Sequence, residues 1–106
     1  MSNSVQDWID ALEDADDATR EEAAKALAEK GDPKTLEPLL IALEDDYWSV
    51  RSHVGWALAK IGGEKAVEGL LTLFNDNMME VEAEAVKAMA FRGNSVIPQL
   101  GTNFND

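Results

Sequence analysis

Between Asp45 and Trp56 the chain reads DDYWSVRSHVGW, a stretch that holds its only histidine, its only tyrosine and two of its three tryptophans. These are the side chains from which chemistry would be built. His53 directly follows Ser52. Adjacent residues of a helix point apart, so the two do not form a hydrogen-bonded nucleophile and base. A single histidine and no cysteine leave no set of zinc ligands. Carboxylates are plentiful, with 21 Asp and Glu in 106 residues, but no pair of them is tied to an expected cleft. The expectation is therefore a chain without catalytic residues, metal or cofactor. Its aromatic stretch either packs a core or touches a partner, since Trp and Tyr dominate interaction hot spots.

Composition narrows the partner. The net charge is −12, which repels phosphate backbones and anionic bilayers, so neither nucleic acid nor membrane is expected. No apolar run approaches the roughly 18 residues that a membrane span needs. The opening MSNSVQDWID has no basic region followed by an apolar stretch, so no signal peptide is expected. Without cysteine the chain suits a reducing compartment, and a cytoplasmic location is expected. A basic protein partner with an apolar anchor would suit this surface. The oligomeric state is left open by the sequence.

The elements that must position these side chains are set by internal repetition. Shifted by 31 residues, DADDATREEAAKALAEKGDPKTLEPLLIALE (from Asp14) falls on DDYWSVRSHVGWALAKIGGEKAVEGLLTLFN (from Asp45) with ten identities. Roughly two would occur by chance at ordinary composition. A third block, DNMMEVEAEAVKAMAFRGN, starts at Asp76. Thr19, Ala23, Ala26 and Leu27 recur as Val50, Val54, Ala57 and Leu58, then as Val81, Ala85, Ala88 and Met89. This is one face of a helix. Leu36, Leu39, Leu40 and Leu43 recur as Val67, Leu70, Leu71 and Phe74, again one face, and Trp8, Ile9 and Leu12 fall in these columns. Gly31, Gly62 and Gly93 mark the expected left-handed helix stops. Pro38, Gly69 and Pro98 share a column that implies a first-turn position or a kink. No segment alternates with period two, so the expectation is all-α. A right-handed α–α superhelix of about three helix pairs (units about 4–31, 32–62 and 63–93) would end in a short half-unit at 94–106. Seven helices are expected in all.

Asp45, Val50, Arg51, Ala57, Leu58, Gly62 and Gly63, followed by AVEGLLTLF and its counterpart TLEPLLIAL, give a pattern that resembles HEAT-like repeats of the phycobilisome-lyase type. The resemblance implies that the second helix of each unit lines a concave face. It also implies an Asp–Arg ladder between units, here Asp14, Asp45 and Asp76 with Arg20 and Arg51. Glu82 replaces the third arginine, so the ladder should end there. Relatives of the lyase type attach or remove bilins, which implies an alternative role as an accessory subunit of a bilin lyase or tetrapyrrole-handling complex. The deoxyhypusine hydroxylases resemble the same repeat and hold iron with His-Glu pairs. The matching positions here read Glu22-Ala23, His53-Val54 and Glu84-Ala85, so that activity is not expected.

The opening stretch now has a place. At about 100° per residue, Trp56 lies about 145° from the centre of the Val50, Val54, Ala57, Leu58 and Ile61 cluster, with Trp48, Ser52, Ala59 and Lys60 near it. Trp56 aligns with Lys25 and Lys87, Trp48 with Asp17 and Met79, and Lys60 with Glu29 and Phe91. Columns that carry charges in sister units face solvent. Tyr47, Trp48, Ser52, His53, Trp56, Lys60, Met79 and Phe91 are therefore the expected partner-binding residues, on a groove that the resemblance makes concave. His53 within such a groove would make binding pH-sensitive. Residues 1–31 carry a net −6 and residues 32–62 only −2. The apolar patch thus has an acidic flank, as an interface with a charged rim has. The expected function is a non-enzymatic protein-interaction scaffold. The other alternative is homo-association through SVIPQLGTNFND at the C-terminal end.

Overall fold

The computed structural model describes the backbone of residues 4–104 and the side chains of residues 4–93. Ser4 Oγ accepts the Asp7 N–H at 3.3 Å, and the Asp7 carboxylate accepts the Ser4 N–H at 3.2 Å. This reciprocal cap starts α1, Val5–Ala11. The Asp16 carboxylate accepts the Thr19 N–H and starts α2, Asp17–Lys30, which stops at Gly31 with φ 59°. Glycine takes that conformation without the Cβ penalty. A 3-10 turn, Pro33–Thr35, leads into α3, Leu36–Ala42. The fourth helix, α4, spans Trp48–Ile61 and stops at Gly62 with φ 74°. α5, Glu64–Thr72, continues into a 3-10 turn, Leu73–Asn75. The last helix, α6, spans Met79–Phe104. Among the described residues there is no strand, and no helix is long and apolar enough to cross a membrane.

These helices form two layers. In the inner layer α2, α4 and α6 lie side by side, α4 packing on both of the others. α1, α3 and α5 back them as an outer layer. Most of the residues that recur at the 31-residue spacing make the core; Leu71, in the same columns, is instead exposed. Ala23, Leu27, Val50, Val54, Ala57, Leu58, Val81 and Ala88 are fully buried in the inner layer, and Leu39 and Leu70 in the outer. The molecule is an all-α solenoid of stacked helix pairs. No pair has enough apolar surface of its own, so each helps to bury its neighbour.

α4 occupies the middle of the stack. Eight of its fourteen residues are buried, against four of fourteen in α2. Ser52 and Ala59 are among them, although wheel arithmetic placed both on the open side. That arithmetic assigns a helix one buried face. A middle helix is backed by the outer layer and also covered on both flanks.

The C-terminal part differs from the sequence expectation as well. α6 runs unbroken through Gly93, and no seventh helix forms among the described residues. Positive φ occurs there only at Gly31, Gly62 and Gly63. Gly31 is followed by the Asp32 cap and Pro33, and Gly62 by a second glycine, each of which turns the chain into a new helix. Gly93 is followed by neither proline nor a second glycine, and among the described residues no atom beyond its own helix turn lies within 4 Å of where its Cβ would stand. Pro38 is the third residue of α3, inside the first turn where no helical N–H bond is lost. Gly69 lies within the continuous α5 and marks a close approach of helices. A Cβ there would lie 2.7 Å from Leu40 Cδ2 and 3.2 Å from both Leu43 Cδ1 and Leu58 Cδ1.

Two glycines therefore respond oppositely to the same change. Gly69→Ala should destabilise the fold by about 1–3 kcal/mol through overpacking. Gly93→Ala should stabilise it by about 0.5–1 kcal/mol, because alanine suits a helix interior better than glycine. Urea unfolding of both variants measures this, and a destabilised Gly93→Ala would restore the helix stop.

Candidate functional site

Three aspartates make the same turn. The Asp14, Asp45 and Asp76 carboxylates accept the N–H groups of Asp16, Tyr47 and Met78, each at 2.9 Å. Short side-chain-to-backbone bonds of this kind reverse the chain ahead of an inner helix. The second and third aspartates are also gripped by an arginine of the preceding unit. Arg20 donates from Nε to Asp45 Oδ2 at 2.7 Å and from Nη2 to Oδ1 at 3.1 Å. Arg51 does the same to Asp76 at 2.7 and 2.9 Å. Each guanidinium then spends Nη1 on the carbonyl of its own unit's aspartate, Arg20 on Asp14 at 2.9 Å and Arg51 on Asp45 at 2.6 Å. These are fork-to-fork pairs, the strongest geometry available to the two groups. They are largely withdrawn from water, with the Arg51 and Asp76 side chains 11% and 8% exposed. The Arg51 bond holds the Asp76 carboxyl below its ordinary 3.8, with burial opposing and the Met78 N–H assisting. Asp45 likewise holds Arg20 above its ordinary range. Glu82 stands in the third arginine column and is exposed.

The expected partner-binding residues fall into three places. Tyr47 and Trp48 lie at the turn edge, their rings edge-to-face with centroids 6.4 Å apart. Trp48 is the first residue of α4 and is 37% exposed; Met79 is the first residue of α6 and is 79% exposed. Beside Trp48 opens a cavity of about 460 Å³ whose wall includes Leu43, Glu44, Asp46, Met78 and the Arg51–Asp76 pair.

The second place lies between the inner helices. Trp56 Nε1 donates to Glu84 Oε1 at 2.9 Å, and its ring meets that of Phe91 edge-to-face with centroids 5.8 Å apart. Trp56 is half-buried against the core and fastens α4 to α6. It is not the open-face ring that its column implied. The sister residues Lys25 and Lys87 reach water on long stems, whereas an indole in that column lies down on the next helix. The Trp56 bond holds the Glu84 carboxyl below its ordinary 4.5, with burial opposing and Lys87 assisting. Phe91 remains 42% exposed. His53 Nε2 is 3.8 Å from Glu21 Oε2, the oxygen that also accepts Ser49 Oγ at 2.7 Å. Lys60 is exposed near the end of α4. The third place is the interior, where Ser52 is buried and its Oγ has no hydrogen-bond partner among the described residues.

Some residues of consequence escaped the sequence reading. Arg92 reaches back to the end of α4, where Nη1 donates to the Ala59 carbonyl at 3.5 Å. Its guanidinium lies against Gly62, 2.6 Å from where a Cβ would stand. A cation there complements the helix dipole. In the outer layer Ile41 is 69% exposed. Its column reads Asp10, Ile41, Thr72, so the comparison of columns that flagged Trp56 would have flagged Ile41 too. Among the described residues no group of three or more His, Asp or Glu is placed to hold a metal ion.

Helix pairs stacked at a fixed repeat and bolted by Asp–Arg rungs define the class, an α-solenoid. The profile of HEAT repeats matches residues 5–90, and the chain belongs to the HEAT repeat family. HEAT repeats generally serve as scaffolds for protein–protein interaction and are generally non-enzymatic. Among curated proteins no match is found.

The rung makes a prediction about acid. A carboxyl whose folded pKa is depressed adds stability in full well above its unfolded value. That contribution is lost as the pH falls through its folded value. Arg51→Ala strips Asp76 of its cation and should cost about 3 kcal/mol or more at neutral pH. Between about pH 5 and pH 2 the wild type should then lose stability more steeply than Arg51→Ala. Equal slopes in denaturant titrations across that range would show that Arg51 does not hold Asp76.

Proposed function

We propose that the chain is a protein-interaction module whose contact surface is the strip made by the first residues of the inner helices. The observation that carries this reading is the shared position of Asp17, Trp48 and Met79 at the starts of α2, α4 and α6. Packed helices lie about 8–10 Å apart, so Trp48 and Met79 present one broken apolar strip that turns acidic over the first unit. Tyr47 supports the Trp48 ring, while His53, Lys60 and Phe91 extend the surface onto the inner layer. A matching partner lays apolar side chains over α4 and α6 and basic ones over α2. Such a surface, apolar at its centre and charged at one end, has the anatomy of an interface. The lack of cysteine favours the cytoplasm as its location.

The likeness to phycobilisome-lyase repeats keeps a bilin in view as the alternative. The propionates of a bilin call for cations, whereas Trp56 faces Glu84 and the Trp48 cavity sets Glu44, Asp45, Asp46 and Asp76 against one cation, Arg51, which is already paired with Asp76. This charge favours a basic protein over an anionic pigment. Homo-association through residues 94–106 concerns side chains outside the described residues.

Affinity capture on immobilised chain tests the strip. Partners held by the wild type should fall by at least about tenfold on Trp48→Ala combined with Met79→Ala, as the loss of one hot-spot ring requires. Circular dichroism should show both proteins equally helical. Equal recovery of partners by the two would remove the strip as the contact surface.

A further inference from the structure

We propose that the outer layer carries a second docking site, separate from the Trp48 strip. The groove between α1 and α3 would take a partner segment that inserts one large apolar side chain flanked by lysine or arginine. One column of the repeat differs between the two outer seams. Where that column holds Gly69, α5 settles onto α3 so closely that a Cβ would sit 2.7 Å from Leu40 Cδ2. Where it holds Pro38, a groove of about 230 Å³ lies open between α1 and α3, with Pro38 in its wall. Ile9, Leu12, Pro38, Ile41 and Ala42 line it, and Glu13 and Glu37 are the charged residues of its wall.

Three observations fix the occupant. The volume lies below the roughly 300–1,000 Å³ typical of small-molecule sites, so the groove suits a side chain and not a cofactor. Its lining is otherwise apolar, and Ile41 stands 69% exposed in a column that is polar in both sister units. An apolar group entering there covers surface that the fold leaves wet. Both charged wall residues are acidic; Glu37 shares its charge with Lys65 at 3.5 Å on an exposed edge, Glu13 forms no ion pair among the described residues, and the first unit, which supplies the α1 wall, carries a net −6. Cations beside the anchor are attracted and anions repelled. The same charge argues against a second copy of this chain, since each copy carries −12.

The test is a titration of the full ¹⁵N-labelled chain with the capped peptide Lys-Lys-Trp-Lys-Lys, read from amide shifts. Saturable shifts are expected at Ile9, Glu13, Ile41 and Ala42, with a Kd of about 0.1–1 mM. They should nearly vanish with Lys-Lys-Ala-Lys-Lys, which lacks the anchor, and with Glu-Glu-Trp-Glu-Glu, which reverses the charge. Glu13→Gln with Glu37→Gln should weaken binding by roughly two- to tenfold. Ile41→Asn, at an exposed position, should weaken it without loss of helix. The proposal is overturned by shifts confined to Trp48 and Met79, by equal shifts with the alanine peptide, or by no shifts at all. Groove shifts that grow with protein concentration in the absence of peptide would overturn it too, because a second copy would then be the occupant.

Discussion

Asp45 does three things at once. Its carboxylate closes the turn onto Tyr47, the same carboxylate receives the fork of Arg20, and its carbonyl accepts from Arg51. Through Arg51 the chain of contacts passes to Asp76 and the next turn. Turn geometry and stacking between units are therefore set by one group. A buried ion pair contributes little net stability compared with apolar packing of the same volume, but breaking one half is costly. Its physical consequence here is register. Any other offset between units leaves a carboxylate and a guanidinium buried and unpaired. That register puts Trp48 and Met79 on neighbouring helix starts, so the candidate contact strip depends on the rungs.

Within this frame, small residues decide how closely the layers meet. A Cβ on Gly55 would lie 2.9 Å from Leu73 Cδ1, so α4 presses against the end of α5. Gly69 lets α5 close onto α3, whereas the equivalent Pro38 lines an open groove between α3 and α1. One repeat thus yields a closed outer seam and an open one. The inner layer shows the same divergence. A column that sends lysine into water in two units holds Trp56 in the middle unit, and there it becomes a fastener to Glu84 and Phe91.

The fold was legible because it is periodic. The recurring apolar columns name the core, and Gly31 and Gly62 name two of the helix ends. Gly93 misled because a glycine permits a stop without imposing one, and it is followed by neither proline nor a second glycine. Trp48 and Met79 were legible as exposed apolar residues, since helix starts at the turn edge have no neighbour to cover them. Ser52, Ala59 and Trp56 were not, because one helix read alone reveals one buried face, and α4 is covered on its flanks as well. The open seam beside Ile41 was hidden for a related reason: it belongs to the space between two outer helices and not to either of them.

The rung is tested most directly by a double-mutant cycle on Arg51→Ala and Asp76→Ala, read from urea unfolding of the wild type, the two single variants and the double variant. If the pair acts as one unit, the single losses should exceed additivity with a coupling of about 2–3 kcal/mol. Losses that sum to that of the double variant within about 0.5 kcal/mol would mean that the two side chains act independently. The register between units would then have to come from apolar packing alone.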